Sequence, residues 1–228
     1  MKWRDEKEQL GKKIIHLLYE QGMIRTSYRD KPEGWILVSG IWSPFYIQLR
    51  PLVSYPSTLK LVGEALGKLV KNECPNVNRI VGVAMAGIPI ATVVSLLADI
   101  PSCYTRKLEG IRSLSDFHRL FKQYGEHSML EGELTAYDQI AIVDDLVTRL
   151  DSKLIAIEQV KFEAKKRELE GIRIKDIVVL FDREQGAVET ATENALSLHS
   201  LIPFKTKGLS WLKPKLEKEE YNIIAEYL

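Results

Sequence analysis

The chain has 228 residues, with 32 Lys and Arg against 31 Asp and Glu, a formal net charge of +1. That balance excludes a generally basic nucleic-acid binder and an acidic tail protein, and 45% hydrophobic with 28% charged residues excludes a disordered chain. Cys74 and Cys103 have no CxxC spacing and no His cluster beside them in sequence, so a reduced, cytoplasmic setting is expected.

The N-terminal MKWRDEKEQLGKK carries no apolar core of signal-peptide length. Residues 8–21 place Leu10, Ile14, Leu17 and Leu18 on one helical face. Residues 35–50 predict two short, aromatic-rich strands around a Ser-Gly turn. Residues 58–71 have helical period, with Leu59, Val62, Leu66 and Leu69 inward. From Ile80 to Ala98 no charge occurs, a length that can span a bilayer. Gly82, Gly87 and Pro89 interrupt the stretch, so a buried strand, a tight turn and a buried helix are expected, and no membrane.

Strands are predicted over 79–84, 102–105, 139–143, 176–181 and 196–202, with helices over 88–98 and 153–169 between them. This alternation specifies an α/β fold with a central parallel sheet flanked by helices on both faces. The segment from Thr105 to Gln139 is polar and carries Arg106, Lys107, Arg112, Arg119 and Lys122. A stretch of that size is expected to be a functional loop or lid, or else disordered. The C-terminal residues 213–228 read as a helix, solvated or packed in a dimer.

Three strand ends carry chemistry on the edge where open parallel sheets bind ligands: AMAG at 84–87, DDLVT at 144–148 and DREQG at 182–186. Asp144 and Asp145 suit sugar hydroxyls or a hydrated Mg²⁺, because carboxylates only accept hydrogen bonds. They also serve as plain strand terminators, with Asp151 or Ser152 capping the helix that follows. Met85, Ala86 and Gly87 read as a phosphate cradle or as an ordinary strand-to-helix turn. Arg106, Lys107 and Lys122 read as a cationic lid or as a solvated surface. Among Trp35, Trp42, Phe45 and Tyr46, packing competes with base contact, for which Phe45 and Tyr46 are the better candidates.

IAIVDDLVT at 140–148 is an apolar strand followed by two acidic residues, two apolar residues and Thr. With SGIWSPFYIQLR at 39–50, VSYP at 53–56, GVAMAGIPIAT at 82–92, YTRK at 104–107, KQYG…LEG at 122–132 and VVLFDREQG at 178–186, the chain resembles the orotate phosphoribosyltransferases of the type I phosphoribosyltransferase fold. The motifs occur in the family's order over about 35–205.

The resemblance implies an N-terminal helix and hood over 1–57, and a core over 58–228 with a lid loop at about 106–132. It implies transfer of the phosphoribosyl group from phosphoribosyl pyrophosphate to N1 of orotate, giving orotidine 5′-monophosphate and pyrophosphate. Asp144 and Asp145 would hold the ribose hydroxyls. Met85, Ala86, Gly87, Arg106, Lys107 and Lys122 would face the pyrophosphate, with Tyr124 beside Lys122 in the same motif. Thr148 and Arg183 would contact orotate under a hood that includes Phe45 and Tyr46. Mg²⁺ would bridge pyrophosphate and sugar, and the lid would work across a homodimer; no nucleic-acid or membrane partner is implied. A catalytically silent nucleotide- or base-sensing regulator, and a transferase for another base, are the alternatives.

Two departures from the family pattern stand out. Its 5′-phosphate loop runs Thr-x-Gly-x-Ser/Thr, whereas here Leu150 holds the Gly position in Thr148-Arg149-Leu150-Asp151-Ser152. A positive φ there would strain Leu150. Asp151 brings negative charge near a phosphate, and Arg149 supplies a guanidinium suited to it. In the lid, Leu108–Phe121 separate Lys107 from Lys122, where the family has two residues; Leu114, Phe117, Leu120 and Phe121 predict an added helix.

Overall fold

The computed structural model describes residues 2–37, 40–111, 113–120 and 127–228. In chain order the elements are α1 (Trp3–Glu20), β1 (Ile24–Thr26), β2 (Trp35–Ile36), β3 (Trp42–Ser43), β4 (Phe45–Ile47), α2 (Pro56–Glu73), β5 (Arg79–Gly82), α3 (Gly87–Ala98) and β6 (Ser102–Thr105). They continue with α4 (Leu114–Leu120), β7 (Leu130–Glu131), β8 (Gln139–Val147), α5 (Asp151–Lys166), β9 (Arg173–Asp182), α6 (Ala187–Glu193), β10 (Ser197–Pro203), α7 (Leu209–Leu212) and α8 (Lys218–Tyr227).

Six strands form one sheet in the order β10-β9-β8-β5-β6-β7, parallel except for the antiparallel edge strand β7. Because side chains alternate across a strand, the sheet feeds two cores. Ala141, Val143, Val178 and Leu180 face α1, α2 and α3, while Ile140, Ile142, Ile177 and Val179 face α5 and α6. This is the expected sheet with helices on both faces. The helix α2 lies close on α3 because Gly63 has no Cβ; one placed there would sit 2.4 Å from Val93 Cγ1.

Ile14, Ile15 and Leu18 of α1 join the same buried cluster as α2 and β10, so the helix of the N-terminal segment is part of the main core. The hood is two small antiparallel pairs, β2 with β3 and β1 with β4. No helix is long and apolar enough to cross a membrane among the described residues. The Ile80–Ala98 stretch is β5, a turn and α3, as expected.

The C-terminal residues form the expected helix over Lys218–Tyr227, with most of its side chains exposed. Helix α8 folds back onto the hood, because the buried Glu220 accepts hydrogen bonds from Tyr19 (3.1 Å) and Thr26 and closes a capping box with Glu217. Tyr227 thereby meets Phe45 and Trp42 edge-on, with centroids 5.8 and 6.2 Å apart.

Candidate active site

The parallel strands β5, β6, β8 and β9 end on one edge, which brings AMAG, YTRK, DDLVT and DREQG together. Strand β8 runs through the two carboxylates to Val147 rather than ending before them. Asp144 and Asp145 therefore project to opposite sides of the strand. Asp144 is buried and its Oδ2 lies 2.7 Å from Lys153 Nζ, itself buried on the first turn of α5. Lys153 also donates to the Leu146 carbonyl at 2.6 Å, while Asp144 Oδ1 accepts the Asp145 N–H at 2.8 Å. Among the described residues Asp145 forms no ion pair of its own, and feels Lys153 only at longer range. Burial, then the neighbouring Asp144 carboxylate, push its carboxyl up to about 7. One carboxylate is thus paired with an internal lysine, and the other holds its proton to higher pH than an ordinary carboxylate.

Gly87 begins α3 directly beside this pair. A Cβ there would lie 2.6 Å from the Val143 carbonyl and 2.9 Å from Asp144 Oδ1. Its N–H is spent on the Val83 carbonyl at 3.0 Å, so the missing side chain serves the approach of helix to strand and leaves Gly87 no free backbone donor. Met85 is 62% exposed at the turn, which contains a cis Ala84–Met85 peptide. The Ala84 N–H is held by the buried Thr105 hydroxyl at 3.0 Å, linking the turn to β6.

Leu150 is buried with φ −88° and ψ 0°. The position needs no positive φ, and the expected strain is absent. Its carbonyl accepts from Lys153 and Leu154 and starts α5. Thr148 is half-buried, and Arg149, Asp151 and Ser152 are exposed at this helix start, where unpaired amides and the helix dipole favour an anion.

Arg106 and Lys107 leave β6 exposed, with Arg106 3.6 Å from Glu131. The two ends of the lid are tied together: Arg106 donates its N–H to the Met129 carbonyl at 3.0 Å. Gln159 of α5 donates to the carbonyls of Arg106 (2.8 Å) and Met129 (3.2 Å), and Glu163 accepts the Met129 N–H at 2.8 Å. The inserted segment adds the helix α4, which lies against α5 with Phe117 buried. Lys122 and Tyr124 lie outside the described residues.

Arg183 follows β9 and is buried, with its guanidinium 4.7 Å from the Phe45 ring and beside Tyr227. Among the described residues its Nε and Nη2 have no hydrogen-bond partner. Buried donors left unpaired are costly, and burial lowers the Arg183 pKa accordingly. Phe45 has no exposed surface and supports the guanidinium, whereas Tyr46 is half-buried and stacked on Trp35 at 5.9 Å. Lys153 and Tyr227 are the site residues missed by sequence reasoning. Lys153 carried a signal: it falls on the i, i+3, i+4, i+7 stripe with Ala156, Ile157 and Val160, all inward.

No family model matches the chain. It is 33% identical to the orotate phosphoribosyltransferase of Methanocaldococcus jannaschii, over 85% of this chain and 94% of the relative. It is 32% identical to the uridine 5′-monophosphate synthase of Bos taurus over 76% of this chain but only 32% of that longer protein. Among solved structures, Leishmania donovani UMP synthase superposes with TM-score 0.75 and 25% identity, over 95% of this chain and 42% of that one. The Aeropyrum pernix orotate phosphoribosyltransferase superposes with TM-score 0.67 and 22% identity, over 89% and 97%.

Proposed function

The chain belongs to the orotate phosphoribosyltransferase family, and from that premise we propose that it transfers the phosphoribosyl group of phosphoribosyl pyrophosphate to N1 of orotate. The observation that carries the base assignment is Arg183, a buried guanidinium with Nε and Nη2 unpaired. Two adjacent guanidinium donors match a planar carboxylate, and orotate carries one.

In this mechanism N1 of the base displaces pyrophosphate from C1 of the ribose. Positive charge grows on the sugar and negative charge on the leaving group. Asp144, fixed by Lys153, and Asp145, once ionised, accept the ribose hydroxyl hydrogen bonds and orient the ring. Arg106 and Lys107 stand at the edge where the leaving pyrophosphate gains charge, and cations there favour the transition state over the ground state. The helix start at 149–152 takes the 5′-phosphate, with Arg149 offsetting Asp151.

The all-oxygen donor set of Asp144 and Asp145 fits a hard cation such as Mg²⁺. With Asp144 already paired to Lys153, Asp145 is the carboxylate nearest to serve one. Mg²⁺ held there would supply positive charge that offsets the negative charge growing on the leaving group.

A homodimer is part of the proposal. Its support is an apolar groove of about 350 Å³ lined by Leu49, Val53, Leu59, Met85 and Ile88, which a second copy would cover. A cytoplasmic location also belongs to it, on the two free cysteines.

The experiment is orotate consumption followed by ultraviolet absorbance with Mg²⁺ and phosphoribosyl pyrophosphate. Turnover that requires both sustains the proposal; none from folded protein overturns it. Consumption of another base instead of orotate would move the assignment to that base.

A further inference from the structure

Toward the opposite, amino-terminal edge of the sheet, three residues remote in sequence converge. Cys74 ends α2, Asp176 lies early in β9 and His199 early in β10. The parallel register pairs Ser197 with Asp176 and His199 with Val178, so Asp176 and His199 emerge on the face covered by α2. Cys74 Sγ, an Asp176 carboxylate oxygen and a His199 ring nitrogen all lie within 4.8 Å of one another. Among the described residues this is the single group of three or more His, Cys, Asp and Glu side chains so arranged.

The histidine is oriented from behind. Its Nδ1 is 3.2 Å from Glu73 Oε2, and its Nε2 is 2.9 Å from Asp176 Oδ1. Glu73 accepts hydrogen bonds from Trp3 Nε1 and Lys7 Nζ, both at 2.8 Å. With Glu73 fixing the ring from behind, Nε2–H donates to Asp176 on the side of Cys74, and a metal ion seated there would take the place of that proton. Metal-bound histidines are held in this way, by a carboxylate on the second ring nitrogen.

We propose that Cys74, Asp176 and His199 bind a divalent transition-metal ion of the zinc type, with Glu73 positioning the histidine. One sulfur, one nitrogen and one oxygen form a ligand set of the softness that zinc takes. A tetrahedral ion with bonds of roughly 2.0–2.3 Å sets its ligands somewhat under 4 Å apart, so only small side-chain shifts close the site. A cavity of about 340 Å³, lined by Trp3, Lys7, Glu73, His199, Lys207 and Trp211, reaches the histidine and its carboxylate partner Glu73 from solvent. The site is separate from the substrate edge and does not depend on the proposed transferase activity.

The test is titration of tag-free, chelator-stripped full-length protein with Co²⁺, followed by displacement with Zn²⁺. The expected result is one equivalent bound, with a cysteine-to-cobalt charge-transfer absorption that Zn²⁺ abolishes. Cys74→Ser and, separately, His199→Gln should remove that absorption, and Cys103→Ser should keep it. Glu73→Gln should weaken binding about 10- to 100-fold while leaving the absorption at saturation. No thiolate absorption from folded wild-type protein overturns the proposal, and so does an absorption that survives Cys74→Ser.

Discussion

Replacing Lys153 with Met removes a charge while keeping most of the side-chain volume, so it isolates the pairing with Asp144. At 2.7 Å, two unit charges in an effective dielectric near 20 attract by about 6 kcal/mol. Desolvation of both groups offsets much of this, because the two side chains are only 4% and 9% exposed. The relevant quantity is the cost of leaving the partner charge alone. Removing one member of a buried pair costs about 3–5 kcal/mol. In a chain of this size each kcal/mol moves the melting temperature by roughly 2–4 °C, so Lys153→Met should melt roughly 10 °C lower. Denaturant unfolding at pH 7 measures the loss directly. Adding Asp144→Asn should recover a large part of it, since the unpaired charge is then gone. A loss under about 1 kcal/mol would refute the reasoning, as would a double variant no more stable than the two losses added.

Asp145→Asn should stabilise the protein more at pH 8 than at pH 4 while lowering turnover. The folded carboxyl is raised to about 7, so its ionisation opposes folding increasingly from about pH 4 to pH 7, and Asn escapes that cost. Melting curves at the two pH values check it. In the wild type the KM for phosphoribosyl pyrophosphate should fall as pH rises through 7, when Asp145 becomes a full acceptor. Gly87→Ala should cost about 1–3 kcal/mol by overpacking and lower affinity for the sugar substrate, because the new methyl meets Val143 and Asp144; unfolding and initial rates test both. Tyr227→Phe should raise the KM for orotate and leave that for phosphoribosyl pyrophosphate unchanged, since the hydroxyl faces Arg183; equal shifts in both would assign Tyr227 to packing.

Local signals made most of the sheet legible. The strand at Ser102–Thr105 was bounded by turn residues and emerged with those limits, and Gly82, Gly87 and Pro89 separated β5 from α3 in an otherwise continuous apolar run. Where the pattern depended on distant partners it failed. Strand β1 is three residues long and is defined by pairing with β4, which no periodicity announces. The site of α8 is set by Glu220 meeting Tyr19 and Thr26 from the other end of the chain. The Leu150 departure looked costly because a glycine pattern suggested a positive φ; the loop instead turns with φ −88°, and the side chain fills the core. The grouping of Cys74, Asp176 and His199 depends on strand register and was invisible in one dimension.

Helix α5 explains how the two halves of the site are held to each other. Its inward face is apolar at Ala156, Ile157 and Val160 but also buries Lys153, Gln159 and Glu163, a poor choice for packing alone. Each polar group has a partner at the site. Lys153 binds Asp144 on the strand that would grip the sugar, while Gln159 and Glu163 bind Arg106 and Met129, the two ends of the lid. Buried, partnered polar groups break when their partners shift, because each then leaves an unpaired donor, acceptor or charge. The helix therefore fixes the base of the lid relative to Asp144 to within hydrogen-bond tolerances. Gln159→Leu, which is apolar and of similar size, should keep the fold at a cost of about 1–3 kcal/mol but release that constraint, raising the KM for phosphoribosyl pyrophosphate several-fold. A KM unchanged in a folded Gln159→Leu variant would show that the lid finds its position without α5.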